Sequence, residues 1–188
     1  MKRDLIKIGC ESSFLSCEKD TETILKKLFV TSKPYSDILK KLLVINTKDC
    51  LDSNKYDEFI QGYDLARLVK EGYVGINPKI KQKEHEEMKS RLLLSFHNFA
   101  PNSSNTEFRD CVGAITIMCP ADESELGDYR LRPIKIMGYI DGLLNKARLS
   151  GIGELNFIAA NPLKLDEDWI GFVLMYEAIH GSDDKIPP

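Results

Sequence analysis

Hydrophobic positions follow two periods along this chain, and the change between them comes near residue 85. From Thr21 to Val74 the spacing is helical. Ile24, Leu25, Leu28 and Phe29 fall on one stripe, as a 3.6-residue repeat requires. Ile38, Leu39, Leu42, Leu43 and Ile45 make the buried face of a second helix. Ser36 or Asp37 is expected to cap it, since a short side-chain oxygen accepts from an otherwise unpaired amide. The polar residues 46–55 read as a connection. Tyr63, Leu65, Leu68 and Val69 carry a third helical pattern that Gly72 stops. The stretch from Gly75 to Pro78 reads as a loop, and the charge run from Lys79 to Lys89 reads as a solvated connecting segment.

Beyond Ser90 the alternation has period two. Leu92, Leu94 and Phe96 interleave with Leu93, Ser95 and His97, and a Pro-, Ser- and Asn-rich turn follows at Asn98 to Asn105. The run from Phe108 to Cys119, with Val112, Ile115, Thr116 and Ile117, is expected to pair back as an antiparallel hairpin with a long tip. Pro133 suits the first turn of a helix, where its missing amide hydrogen costs nothing. Ile136, Met137, Ile140, Leu143, Leu144 and Ala147 give that helix a continuous apolar face. Gly138 and Gly142 interrupt it. Each costs about 1 kcal/mol relative to Ala in a helix interior, so close packing against a sheet or another helix is the expected reason for them. Their spacing matches a membrane-helix dimer motif, but Asp141, Asn145 and Lys146 exclude a membrane span here.

The glycines of Ser150 to Gly153 follow a helix and precede a strand, the reverse of a phosphate-binding loop, so this segment reads as a turn. Glu154 to Ala160 and Trp169 to His180 are the closing strands. The last one is apolar on both sides: Ile170, Phe172, Leu174 and Tyr176 alternate with Trp169, Val173, Met175 and Ile179. Such a strand lies centrally in a two-layer domain or has one face closed by another subunit. Trp169, Phe172, Val173, Met175 and Ile179 are therefore the candidate subunit-interface residues, with Gly138 and Gly142 the candidate helix-packing positions. The expected fold is α+β: a mainly antiparallel sheet packed by one long helix, preceded by a helical N-terminal region. The division is 1–78 for the helices, 79–90 for the charged connection and 91–188 for the core.

A chain of 188 residues with 43% hydrophobic content can bury a substantial core. Its formal net charge of -3 disfavours binding that rests on neutralising many phosphates, so no sequence-specific nucleic-acid partner is expected. Met1 to Cys10 lacks the continuous apolar stretch of a secretion signal, and no run approaches the roughly 20 apolar residues of a membrane span. The five cysteines are odd in number and form no CxxC pair, which suits reduced thiols and not a zinc site.

Candidate chemistry is sparse. His85-Glu86-Glu87 resembles the start of the helical zinc-protease motif, but Lys89 stands where the second histidine is required. His97 and His180 lie in strand patterns, where a hydrogen-bonded histidine is the commoner outcome. Cys111 and Cys119 could serve as nucleophiles, yet their strand positions imply burial. Asp122, Glu123, Glu125 and Asp128 lack the spacing and glycine of a calcium loop and suit a solvated helix start. Asp166, Glu167, Asp168, Asp183 and Asp184 could gather a metal only if the fold converged them. No catalytic, cofactor-binding or metal-binding residue is assigned.

The helix beginning "YRLRPIKIMGYIDGLLNKARLSGIG" and the final pair "GELNFIAANPLKL" and "WIGFVLMYEAIHG", with the hairpin before them, resemble the neck proteins of tailed bacteriophages. The resemblance is to tail terminator or tail completion proteins, with head-closure adaptors close behind, and covers roughly residues 91–180 by element order and hydrophobic pattern. It implies a non-enzymatic virion protein, made in the host cytoplasm, whose copies assemble as a hexameric ring. It also implies contacts with a connector, portal-side or tail-tube protein, no cofactor and no membrane. The doubly apolar last strand would supply the ring contact, and the segments 98–106 and 122–128 the contacts to the next ring. Two other classes fit the residues: a metal-dependent, nuclease-like phage enzyme, and a cytosolic protein-interaction module that forms no ring.

Overall fold

The computed structural model describes residues 17–52, 55–76, 87–101, 109–127, 129–149, 152–163 and 166–179. Helix α1, residues 17–26, runs into a π-helical turn at Lys27–Thr31, and its stripe of Ile24, Leu25, Leu28 and Phe29 is buried as the spacing requires. Helix α2 spans Tyr35–Val44. Neither Ser36 nor Asp37 caps it: the cap position is Pro34, with no side-chain bond. The turn before it does that work, since the Ser36 and Ile38 amides donate to the Ser32 and Pro34 carbonyls at 3.1 and 3.2 Å. Helix α3 is Asp57–Gln61 and helix α4 is Leu65–Lys70. The Asp64 carboxylate caps α4 by accepting the Arg67 amide at 2.7 Å, and Gly72, at φ 78°, turns the chain out of it.

Strand β1, Val74–Gly75, lies where the sequence suggested the end of the helical half and the start of a loop. It pairs in parallel with Leu92 and Leu93 of β2, Arg91–Pro101. A two-residue strand leaves no period to read. Strand β3, Arg109–Pro120, pairs antiparallel with β2 as the expected hairpin; its tip lies outside the described residues. A 3-10 turn at Ala121–Glu123 leads into β4, Glu125–Leu126, and β5, Arg130–Leu131, which form a separate short hairpin in place of the expected helix start. Helix α5, Arg132–Leu144, follows at once with Pro133 in its first turn. Then come β6, Arg148–Leu149, β7, Gly153–Leu163, and β8, Trp169–Ile179. The main sheet has the order β1-β2-β3-β8-β7-β6. The doubly apolar last strand is central, between β3 and β7.

Register decides which residues meet the helices. Pairing Ile115 with Leu174, Ile117 with Phe172 and Gly113 with Tyr176 sets one face of the sheet. On it, Leu92, Leu94, Cys111, Ile115, Ile117, Cys119, Leu155, Leu174 and Tyr176 join the buried side chains of α1, α2, α4 and α5 in one cluster. The N-terminal helices and the sheet therefore share a core. Ile136, Ile140 and Leu144 of α5 are fully buried there, so truncating one to Ala costs about 2–5 kcal/mol. The Tyr176 hydroxyl donates to the Asp141 carboxylate at 3.2 Å, tying β8 to α5. On the opposite face Leu93, Met118 and Trp169 form a small buried cluster, with Leu163 against them. Among the described residues the helices cover one face of the sheet.

A buried arginine joins the two halves. Arg132, at 0% exposure, donates from Nε to the Glu123 carbonyl at 2.8 Å. Its Nη1 donates to the Leu42 and Ile45 carbonyls at 2.7 Å each, and its Nη2 to the Thr47 carbonyl at 2.9 Å. The carbonyls at the end of α2 have no intrahelical donors. A guanidinium from the first residue of α5 supplies them.

Candidate functional site

The proposed interface residues do not share one surface. Phe172 is half-buried on the helix-facing side of β8. Val173 and Met175 are half-buried on the opposite side, and Trp169 is closed into the small cluster there. The Ile179 side chain lies outside the described residues. Val173 and Met175 sit beside Thr116 and Ala114 of β3, with Val112 next along the same face, and they form a half-buried apolar pair on it.

Gly138 and Gly142 correct an expectation. Both are exposed, and a Cβ at either would meet nothing within 4 Å. They pack against neither the sheet nor another described helix. The apolar stripe of α5 is on its other side, through Ile136, Ile140 and Leu144, so the glycines face away from the core.

That outward side of α5 has a surface of its own. Tyr129, Arg130, Leu131, Ile134, Lys135, Gly138 and Tyr139 line an open groove of about 520 Å³. Its apolar groups are unusually accessible: Leu131 is 40% exposed, Ile134 51% and Tyr129 fully. Tyr129 also has φ 59°, a left-handed conformation uncommon for an aromatic residue. The ring of Tyr35 in α2 packs near Tyr139, centroids 6.1 Å apart. The sequence carried a signal for this surface, because Leu131, Ile134 and Gly138 fall three and four residues apart. The stronger core stripe obscured it.

Among the described residues the candidate chemical groups form no common cluster. Ser95 Oγ and His97 Nε2 are 2.8 Å apart on β2, so His97 is a hydrogen-bonded strand histidine. His85 and His180 lie outside the described residues, as do Asp183 and Asp184. Burial pushes the Cys111 thiol up to about 12 and the Cys119 thiol up to about 11. It also raises Cys50 against the opposing pull of the Arg132 guanidinium. The thiolate is the nucleophilic form, and burial suppresses it at all three. Asp166, Glu167 and Asp168 are exposed, with Asp166 accepting the Asp168 amide at 3.3 Å. Among the described residues no group of three His, Cys, Asp or Glu is placed to hold a metal ion. No helix among them is long and apolar enough to cross a membrane.

The structure thus defines an α+β scaffold with one helix-covered sheet face and accessible apolar surface outside its core. The chain belongs to the YomW family, a phage-like protein family whose profile matches residues 36–178. No curated protein matches it. Among solved structures it is similar to a chain from the virion of a native gene transfer agent particle, with 13% identity over 64% of this chain and 87% of that one. The TM-score of that pair is 0.40, which does not establish a shared fold.

Proposed function

We propose that this chain is a structural virion protein of phage type, without enzymatic activity, that forms a ring at the head–tail junction and terminates the tail or joins it to the connector. The observation that carries the reading is the one-sided layering of the sheet. A central strand with Val173 and Met175 half-exposed on the uncovered side leaves apolar area that association can remove from water, at about 25 cal/mol per Å². Membership of a phage-like family supports the virion assignment. Subunits that repeat one heterologous contact close into rings when the rotation allows, and six copies is the number the neck-protein resemblance implies. The net charge of -3 suits a lumen through which DNA passes without adhering. Adjoining connector, portal-side or tail-tube proteins are the partners in this reading.

Electron microscopy of particles assembled with a tagged copy tests the location. Density for the tag is expected as a collar between capsid and tail. Tag density elsewhere in the particle, or tagged protein that never enters particles, overturns the assignment.

A further inference from the structure

The groove on the outward side of α5 calls for an apolar occupant with negative charge. Its floor is Leu131, Ile134 and Tyr139, and Gly138 removes the side chain that would fill it. Lys135, on its rim, makes no ion pair among the described residues. The groove is built at a cost. An exposed glycine in mid-helix with no internal contact gives up helix propensity for nothing inside the chain, and Tyr129 holds an uncommon backbone conformation at its mouth.

The same chain carries a matching projection. Phe59 of α3 is 53% exposed and is preceded by Asp57 and Glu58. Most other exposed large apolar side chains offer no such match: Val30 follows Lys26 and Lys27, Val69 precedes Lys70, and Leu131 stands between two arginines. Three more stand near acids, but Lys40 holds the Asp37 that follows Tyr35, Lys89 holds the Glu87 that precedes Met88, and Ile170, after Asp168, is the least exposed of these side chains at 36%. Phe157 and Ile158 sit among Asn and Ala. Asp57 is occupied by Lys41, whereas Glu58 makes no ion pair among the described residues. The Phe59 ring packs on Tyr63, centroids 5.2 Å apart, which fixes its direction. Phe59 is not among the residues lining its own groove.

We infer that Phe59 of one copy seats in the α5 groove of the next, with Glu58 facing Lys135, as the head-to-tail contact of the assembly. This deepens the ring reading and rests on it. Knob and groove are different surfaces, so the contact can repeat head to tail and propagate around a ring, whereas reciprocal exchange about a two-fold would end at a dimer. A buried aromatic anchor inside a charged rim is the usual energetic centre of such an interface. The rim charges set partner choice and orientation.

Native mass spectrometry and sedimentation velocity of the full chain test this, each variant first matched to the parent by circular dichroism. The parent is expected to assemble. Phe59→Ala and Gly138→Leu are each expected to weaken assembly about 30-fold or more, the scale of an interface hot spot. Gly138→Leu replaces a poor helix former on an open surface, so it is expected to melt no lower than the parent while failing to assemble. Gly142→Ala, beside the groove but not lining it, is expected to assemble normally. Glu58→Lys and Lys135→Glu are each expected to weaken assembly about 10-fold, and the double exchange to recover it. If the parent assembles and Phe59→Ala and Gly138→Leu assemble equally well, or the double exchange is no better than the single ones, the contact is wrong and the ring reading stands. A parent that remains monomeric at all concentrations overturns both.

Discussion

Replacing Arg132 by methionine keeps most of the side-chain volume and removes the guanidinium. Four hydrogen bonds of 2.7 to 2.9 Å are lost at once, to the carbonyls of Leu42, Ile45, Thr47 and Glu123. A bond to a charged group contributes about 1.5–3 kcal/mol, but losses in one network do not add. Methionine also relieves the cost of keeping a guanidinium out of water. Each buried carbonyl left without a donor costs about 1–3 kcal/mol, so after that relief a net loss of about 3–5 kcal/mol is expected, a large part of the roughly 5–15 kcal/mol that holds a domain folded. For a chain of this length each kcal/mol moves the melting temperature by about 2–4 °C, so a fall of about 10–15 °C is expected by circular dichroism. Arg132→Lys should recover less than half, because a single ammonium cannot span carbonyls on α2, its following loop and the 3-10 turn together. Hydrogen exchange should show the end of α2 losing protection before the strands do. A fall smaller than about 3 °C, or full rescue by lysine, would refute the assignment of Arg132 as the joint between the N-terminal helices and the sheet.

The thiols provide a second measurement. With Cys111 and Cys119 buried and pushed to about 12 and about 11, alkylation of the native protein at pH 8 should leave both, and buried Cys50, intact. All three should react once urea unfolds the chain, and native labelling of Cys119 at the rate of a free thiol would contradict the packing. Burial also raises the Glu123 carboxyl above 4.5, with the Arg132 guanidinium opposing it. As pH rises through 4.5 the unfolded chain therefore gives up this proton while the folded chain keeps it, and Glu123 lowers stability progressively until its raised pKa is passed. Urea titrations from pH 4 to 8 should show the stability of Glu123→Gln rising relative to the parent across that window; a constant difference would contradict the shift. Tyr176→Phe, which removes the hydroxyl bonded to Asp141, should cost about 1 kcal/mol in the same titration.

What the sequence revealed follows from the length over which each physical signal repeats. The α5 core stripe of Ile136, Ile140 and Leu144, the β2–β3 hairpin and the doubly apolar pattern of β8 were legible because each rests on several turns or alternations of one pattern, though that pattern alone left β8 either central or closed by another subunit. Strand β1, the β4–β5 hairpin and the π turn at Lys27–Thr31 are too short to carry a period, and tertiary pairing makes them. Arg132 was invisible for a different reason. Arginine is ordinarily exposed, and the Leu42, Ile45 and Thr47 carbonyls that bury it are 85 to 90 residues away.

The glycines of α5 show how a correct physical premise can lead to the wrong surface. Their propensity cost does imply a compensating role, but propensity is a scalar and says nothing of direction. Only the helix phase gives direction: Ile136, Ile140 and Leu144 point to the core, which leaves Gly138 facing outward beside Ile134 and Leu131. Inside the fold such a glycine would let two elements approach. On an accessible apolar groove it instead leaves room for the occupant proposed above, and in that reading the compensation comes from association, not from folding. Substitution at Gly138 should therefore move folding stability and assembly in opposite directions, a separation that a core-packing glycine could not produce.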